Sequence, residues 1–228
     1  MFIEAKDIKK NYIRKRSGTN ILEAVKETNL TLEPGTVTVV SGRSGSGKST
    51  LLNMLCGILP PDSGQVNFSG TDIYALEDQA LSKLRNEHFG IVPQGQSALM
   101  SLTVYENILL PFTLYMKSTD GLAAKEKLAY ELMERLSISD LRDIMPEELS
   151  GGELRRMAIC RAFIMEPEVI FADEPTGDLD DENTALVLEV FREAADRGTA
   201  VFMVSHDADT EGIADLSFRM NMGVLNIL

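Results

Sequence analysis

The residues with the clearest chemical meaning are Gly42-Arg43-Ser44-Gly45-Ser46-Gly47-Lys48-Ser49. They fit the pattern G-x-x-x-x-G-K-[ST] at every specified position, a spacing suited to wrapping backbone around phosphates. Glycines let the chain approach an anion closely. The loop N–H groups and the start of the next helix then face the phosphates. Lys48 adds a mobile positive charge for the β- and γ-phosphates, and Ser49 offers a hydroxyl to Mg²⁺. Such a loop needs a strand before it and a helix after it. Val37-Thr38-Val39-Val40 reads as a buried strand, and Thr50-Leu51-Leu52-Asn53-Met54-Leu55 as a helix without a breaker before Gly57.

A second set of polar residues stands at the ends of apolar runs. Asp173 closes Val169-Ile170-Phe171-Ala172, where a carboxylate can hold Mg²⁺ against the phosphates. Glu174 follows it and points another way, so it can orient and deprotonate an attacking water. His206 comes just after Ala200-Val201-Phe202-Met203-Val204, which should carry it to the same sheet edge as Gly42 and Asp173, within reach of a γ-phosphate. Gln94 likewise ends a strand and could reach Mg²⁺ or the water. His88 has no such context and reads as surface. Leu149-Ser150-Gly151-Gly152-Glu153 is a second candidate anion site at a helix start. One fold has no obvious need for two such loops at one nucleotide, unless the second serves a nucleotide held by another copy.

Elements that could position these groups alternate along the chain. Strands are expected at residues 2–12, 24–32, 37–40, 65–68, 89–93, 169–173 and 199–204, with a closing pair at 218–220 and 224–227. Helices are expected at 78–86, at 103–110 with Thr103 as N-cap and Pro111 as its stop, at 183–197 before Gly198, and after the Ser150 loop. Between about residues 95 and 165 strand signals vanish, so this block reads as a mostly helical insertion. Its stripe of Leu128, Leu132 and Leu136 reads as packing. Alternating strands and helices imply a parallel sheet with right-handed crossovers.

Composition narrows the function. A chain of 228 residues with 44% hydrophobic content holds a sizeable core. Its net charge of −13 argues against nucleic acid. Cys56 and Cys160 lie far apart, inside expected helices, and read as buried thiols, and with two histidines there is no zinc pattern. The opening residues run into charged ones without a signal peptide. The longest apolar run, residues 108–116, is well short of the roughly 20 that a spanning helix needs. The basic stretch at residues 9–16 reads as a solvated hairpin, except that Tyr12 lies where a ring could reach adenine.

Taken together, these motifs closely resemble the ATP-binding-cassette (ABC) ATPases over nearly the whole chain. Residues 42–49 resemble the Walker A motif, 169–173 the Walker B strand, Gln94 the Q-loop, His206 the switch histidine and Leu149–Glu153 the signature, with Glu in place of the usual Gln. Gly177-Asp178-Leu179-Asp180 resembles the D-loop, and Tyr12 the adenine-stacking aromatic. Within the family the resemblance is to the branch that includes MacB, LolD and FtsE. This chain departs from that branch at Asp178, where Asn is usual, and at Arg155-Arg156, where Gln-Arg is usual.

The resemblance implies an α/β P-loop NTPase, 1–228, with a RecA-like core and mostly parallel sheet, an antiparallel β subdomain and an inserted α-helical subdomain at about 95–165. It implies ATP held by Tyr12, Gly42, Ser44, Gly45, Ser46, Gly47, Lys48, Ser49 and Thr50, and in trans by Ser150, Gly151, Gly152, Glu153 and Asp180. It implies Mg²⁺ on Ser49, Gln94 and Asp173, and catalysis by Glu174, His206, Lys48 and Gln94. The implied partners are a second ATPase chain, expected to be an identical one, and an integral membrane permease-like protein, with no nucleic acid. The implied place is cytoplasmic, on the inner face of a bacterial cell membrane. Export, lipoprotein release and antimicrobial-peptide resistance fit this reading. So does a mechanotransmitting or regulatory ATPase that moves no substrate. A small-molecule kinase would share the first loop but not the second.

Overall fold

The computed structural model describes residues 3–15, 19–95, 97–115 and 120–228. In chain order the elements are β1 (Ile3–Lys15), β2 (Thr19–Leu32), β3 (Val37–Ser41), α1 (Lys48–Leu55), β4 (Ser63–Phe68), β5 (Thr71–Asp72), α2 (Asp78–His88), β6 (Phe89–Val92), α3 (Val104–Leu114), α4 (Leu122–Arg135), α5 (Gly151–Phe163), β7 (Val169–Asp173), α6 (Asp181–Asp196), β8 (Ala200–Val204), α7 (Ala208–Glu211), β9 (Leu216–Asn221) and β10 (Val224–Ile227). Met1, Phe2 and the tip of the first hairpin at 16–18 lie outside the described residues, as does Met116 of the long apolar run.

Two sheets form. An antiparallel one has the order β2-β1-β4-β5, and a six-stranded one the order β10-β9-β3-β8-β7-β6. In the second, β6, β7, β8, β3 and β9 run parallel and only β10 is antiparallel to its neighbour. The register decides the site. Val40 of β3 lies opposite Val204 of β8, Asp173 of β7 opposite the same Val204, and Val92 of β6 opposite Ala172. Four C-terminal strand ends therefore stop at one edge, where ligands bind in open parallel sheets.

β7 and β8 are buried along their whole length. Val169 and Phe171 join one apolar cluster with α1 and the antiparallel sheet, while Ile170 and Ala172 join the other with α3 to α6. A strand covered on both faces has no polar side to alternate with, so both runs are continuously apolar. The buried residues of α4, Ala129, Leu132 and Met133, with Leu136 after it, belong to the second cluster, so the stripe is packing.

Three expectations need correction. Pro111 does not stop α3, which continues to Leu114. A proline forfeits one backbone donor, and here the helix runs on, with Asn86 Nδ2 donating to the Pro111 carbonyl at 3.0 Å. His88 is not a plain surface residue. Its Nδ1 lies 2.7 Å from Glu168 Oε1 and its ring packs 5.3 Å from that of Phe68. Cys56 caps the C-terminus of α1 instead of lying inside the helix. Both thiols are buried as expected, and burial pushes that of Cys56 up to about 12. In the basic stretch, Lys9 pairs with Glu27 and Lys10 with Asp62, both at 2.8 Å, so these two charges are spent locally.

Candidate functional site

β3 ends at Ser41 and the chain turns at Gly42 and Gly47, both with positive φ. A Cβ at Gly42 would lie 2.4 Å from the Met220 carbonyl, and one at Gly47 would lie 2.0 Å from that of Ala24. Only glycine lets the loop pass this close to its neighbours. Gly47 caps α1, and Leu51 N–H donates to its carbonyl at 2.9 Å. The first N–H groups of α1 have no partner within the helix, so Lys48, Ser49 and Thr50 present donors to the loop's concavity. Lys48 is buried, and its Nζ donates to the carbonyls of Gly42 at 2.8 Å and Arg43 at 3.4 Å. The ammonium thus closes the mouth of the loop on itself. Ser46 Oγ is buried without a hydrogen-bond partner.

A cleft of about 610 Å³ opens over this loop. It brings together Tyr12, Gly42, Ser44, Gly45, Gly47, Lys48, Ser49, Thr50, Gln94, Glu174 and His206. Leu22, Ala24 and Arg43 also line it and were missed from sequence. Leu22 lies directly across from Tyr12 in the β1–β2 ladder, so both side chains share one face of the hairpin. The alternation of that second strand was the available signal. Tyr12 is 41% exposed, leaving its ring open to the cleft.

Asp173 sits at the end of β7, with Oδ1 buried and without a hydrogen-bond partner among the described residues. Burial raises its carboxyl above the ordinary range, and the Ser49 hydroxyl and Lys48 ammonium partly offset the rise. An orphaned carboxylate oxygen beside a serine hydroxyl at a phosphate loop suits a small hard cation. The donor set fits Mg²⁺: Ser49, Asp173 and the Gln94 amide could supply its protein oxygens. Glu174, next along, is buried and has φ 52°. His206 Nδ1 lies 2.8 Å from its Oε2.

The second candidate anion site is elsewhere. Ser150 caps α5 in a reciprocal box. Its Oγ accepts from Glu153 N–H at 3.3 Å, and its own N–H donates to Glu153 Oε2 at 2.7 Å. Hydrogen bonds from Ser150 hold the Glu153 carboxyl below the usual carboxylate range. Its charge is therefore turned back on the cap. Ser150, Gly151 and Gly152 line a cleft of about 450 Å³ with Asp178, Leu179, Asp180 and Asn183, and no residue of it is shared with the phosphate-loop cleft. Asp180 caps α6, accepting from Asn183 N–H at 2.8 Å. Arg156 is buried at this cleft and donates to Leu136 O at 2.9 Å and Asn183 Oδ1 at 2.7 Å, tying the signature helix to the cap of α6. Another cleft of about 620 Å³, between α4 and α6, holds none of the phosphate-loop or signature residues.

The family model described as ABC transporter matches residues 25–177. The chain is 35% identical over 214 residues to the ABC transporter ATP-binding protein YtrE of Bacillus subtilis, covering 93% of this chain and 91% of YtrE. It is 38% identical over 223 residues to the macrolide export ATP-binding/permease protein MacB of Shigella flexneri, covering 97% of this chain but 33% of MacB, so it spans about a third of that protein. Among solved structures, a dimeric post-hydrolysis state of the ATP-binding cassette MJ0796 bound to ADP and Pi superimposes with TM-score 0.90 at 28% identity, covering 99% of this chain and 98% of that one. A second dimeric MJ0796 structure gives TM-score 0.90 at 30% identity, covering 97% and 95%. With a phosphate loop, strand-end Asp-Glu and separate signature cleft in one chain, this protein belongs to the ABC transporter family, as one of its ATP-hydrolysing cassettes.

Proposed function

We propose that the chain works as half of a head-to-tail dimer that closes on two ATP-Mg²⁺ and drives a separate integral membrane protein. The observation that carries this is the separation of the two clefts. Ser150, Gly151 and Gly152 line a cleft that shares no residue with the cleft over the chain's own phosphate loop. On this reading they would meet the γ-phosphate of a nucleotide bound to a second copy.

ATP would lie with its phosphates along Gly42 to Thr50 and its base beside Tyr12 and Leu22. Lys48 exchanges its loop carbonyls for phosphate oxygens. Ser49, Gln94 and Asp173 would hold Mg²⁺, which when bound would supply positive charge against the phosphates. Glu174 takes a proton from water as the water oxygen bonds to the γ-phosphorus, and the bond to the β,γ-bridging oxygen breaks. ADP and phosphate leave. His206 holds Glu174 from β8 and stands next to the γ-phosphate. Asp180 and Glu153 serve the trans site through the caps they form, with Glu153's charge held off the incoming phosphate by Ser150. The helical segment at 95–165 then acts as the lever that carries the signature.

For the membrane partner, support comes from exposed Leu99 and Met100 ahead of α3 and exposed Leu114 and Tyr115 at its C-terminal end. Among the described residues no helix is long and apolar enough to cross a membrane. A place at the inner face of a bacterial membrane goes with this reading, supported by the bacterial transporter relatives YtrE and MacB. The test is light scattering of purified Glu174→Gln with and without ATP-Mg²⁺. A shift from one chain mass to two supports the sandwich. A mass fixed at one chain, with ATP bound and the membrane partner added, overturns it.

A further inference from the structure

We propose that Arg155 is a positioning residue for Gln94, locking the metal-facing loop to the helix that opens the signature cleft. The inference rests on the reading of Gln94 as a Mg²⁺ ligand.

Arg155 lies about one turn into α5, just past Gly151 and Gly152. Its side chain crosses to the end of β6, where Nη1 donates to the Pro93 carbonyl and Nη2 to the Gln94 carbonyl, each at 2.6 Å. A planar fork on two successive carbonyls fixes both the position and the tilt of the peptide between them. The Gln94 side chain departs from that peptide and lines the phosphate-loop cleft. Arg155, Gln94, Gly151 and Asp178 also share a small cleft of their own, between the Gln94 loop and the start of α5.

The guanidinium is an unusual choice for such a contact. Burial lowers its pKa, and the attraction of Asp178, Asp173 and Glu174 offsets part of that cost. Among the described residues it makes no ion pair within salt-bridge distance; its two bonds go to backbone. A partly buried charge spent on two backbone carbonyls is spent on geometry. The next residue, Arg156, reaches the other way, to Asn183 at the cap of α6. Successive arginines of α5 therefore grip the Gln94 loop on one side and the Asp180 cap on the other. Arg161 adds a second hold on the same loop by donating to the Ser97 carbonyl at 2.7 Å.

The consequence is specific. Loop amides and Lys48 bind phosphates without Arg155, whereas placement of the Gln94 amide at the metal depends on it. The experiment compares wild type, Arg155→Ala, Arg155→Lys, Gln94→Ala and the double variant Gln94→Ala/Arg155→Ala. It reads the affinity for a fluorescent ATP analogue with Mg²⁺ and in EDTA, beside Mg²⁺ activation of turnover. Arg155→Ala should cut the Mg²⁺-dependent gain in affinity by roughly tenfold, as loss of a group that orients a metal ligand does. Affinity in EDTA should stay as in wild type. Arg155→Lys keeps the charge but not the fork, so it should show most of the loss. The double variant should be no worse than Gln94→Ala.

A Gln94→Ala variant that loses the Mg²⁺ gain beside an Arg155→Ala variant that keeps it overturns the positioning role alone. An additive double variant overturns it too. If Gln94→Ala keeps the Mg²⁺ gain, the ligand reading of Gln94 fails first and the inference goes with it. Should Arg155→Ala not fold, Arg155→Lys carries the same comparison.

Discussion

His206 and Glu174 hold each other across two strands. Nδ1 of the histidine lies 2.8 Å from Oε2 of the glutamate, and the His206 backbone N–H donates to the same oxygen at 3.3 Å. Glu174 N–H donates to the Val204 carbonyl at 2.8 Å, two residues before the histidine. The left-handed turn at Glu174, φ 52°, swings its side chain off β7 and across the end of β8. A non-glycine residue in that conformation costs about 1–3 kcal/mol. These bonds offset the strain, and those to the carboxylate use Oε2; among the described residues no hydrogen bond to Oε1 is found.

Glu174→Gln keeps the shape and removes the base. ATP affinity should stay within about twofold while turnover falls by 10² or more, roughly 3 kcal/mol of barrier. Single-turnover phosphate release measures it, and near wild-type release would remove Glu174 from the role of base.

Removing the histidine should leave binding intact and misplace Glu174. His206→Ala is expected to lower kcat by about tenfold to a hundredfold, the usual scale for a catalytic group displaced by an ångström or less. Asparagine can place a donor near the Nδ1 position, so His206→Asn should recover part of the loss. Equal kcat values for the two variants would mean that the 2.8 Å contact does not position the base.

Two loop glycines should differ sharply. Gly47→Ala puts a Cβ 2.0 Å from the Ala24 carbonyl and 2.8 Å from Met220 Cε, whereas at Gly45 nothing lies within 4 Å. Both have positive φ. The first should cost on the order of 3 kcal/mol or more and abolish nucleotide binding, the second about 1 kcal/mol. Thermal melts with a nucleotide titration on each variant decide; similar losses would contradict the close approach at Gly47.

Asp173 predicts a trade between stability and function. Its folded pKa is raised by burial, so between the unfolded and folded values the native state binds more protons than the unfolded one. Stability then falls as pH rises through that window, and the full penalty remains above it. At pH 7.5 without nucleotide, Asp173→Asn should therefore melt higher than wild type, by about 2–4 °C for each kcal/mol recovered in a domain of this size. The gain should shrink as pH falls through the raised pKa, and Mg²⁺-dependent turnover should collapse. A lower melting temperature at pH 7.5 would show that the carboxylate supports the nucleotide-free fold.

Much of the site was legible in sequence because its parts are local. A glycine loop between strand and helix, an Asp-Glu pair after four apolar residues and a Ser-Gly-Gly cap are each written in consecutive residues. Their backbone chemistry follows from residue type. Fully buried β7 and β8 were legible for the same reason, since a strand covered on both faces reads as an unbroken apolar run. Even the common sheet edge could be expected, because Gly42, Asp173 and His206 each follow an apolar run.

What tertiary structure decided lies between segments. The pairing of His206 with Glu174 depends on β7 and β8 being neighbours in one register. The reach of Arg155 to Pro93 and Gln94 spans some sixty residues of chain, and that of His88 to Glu168 spans eighty. No periodicity encodes such contacts; they exist once packing has brought two chain ends together. Pro111 shows the same limit from the other side. Its missing donor predicts a stop, yet the helix continues, because a lost backbone bond is a local cost and α3 is held by the core it packs into.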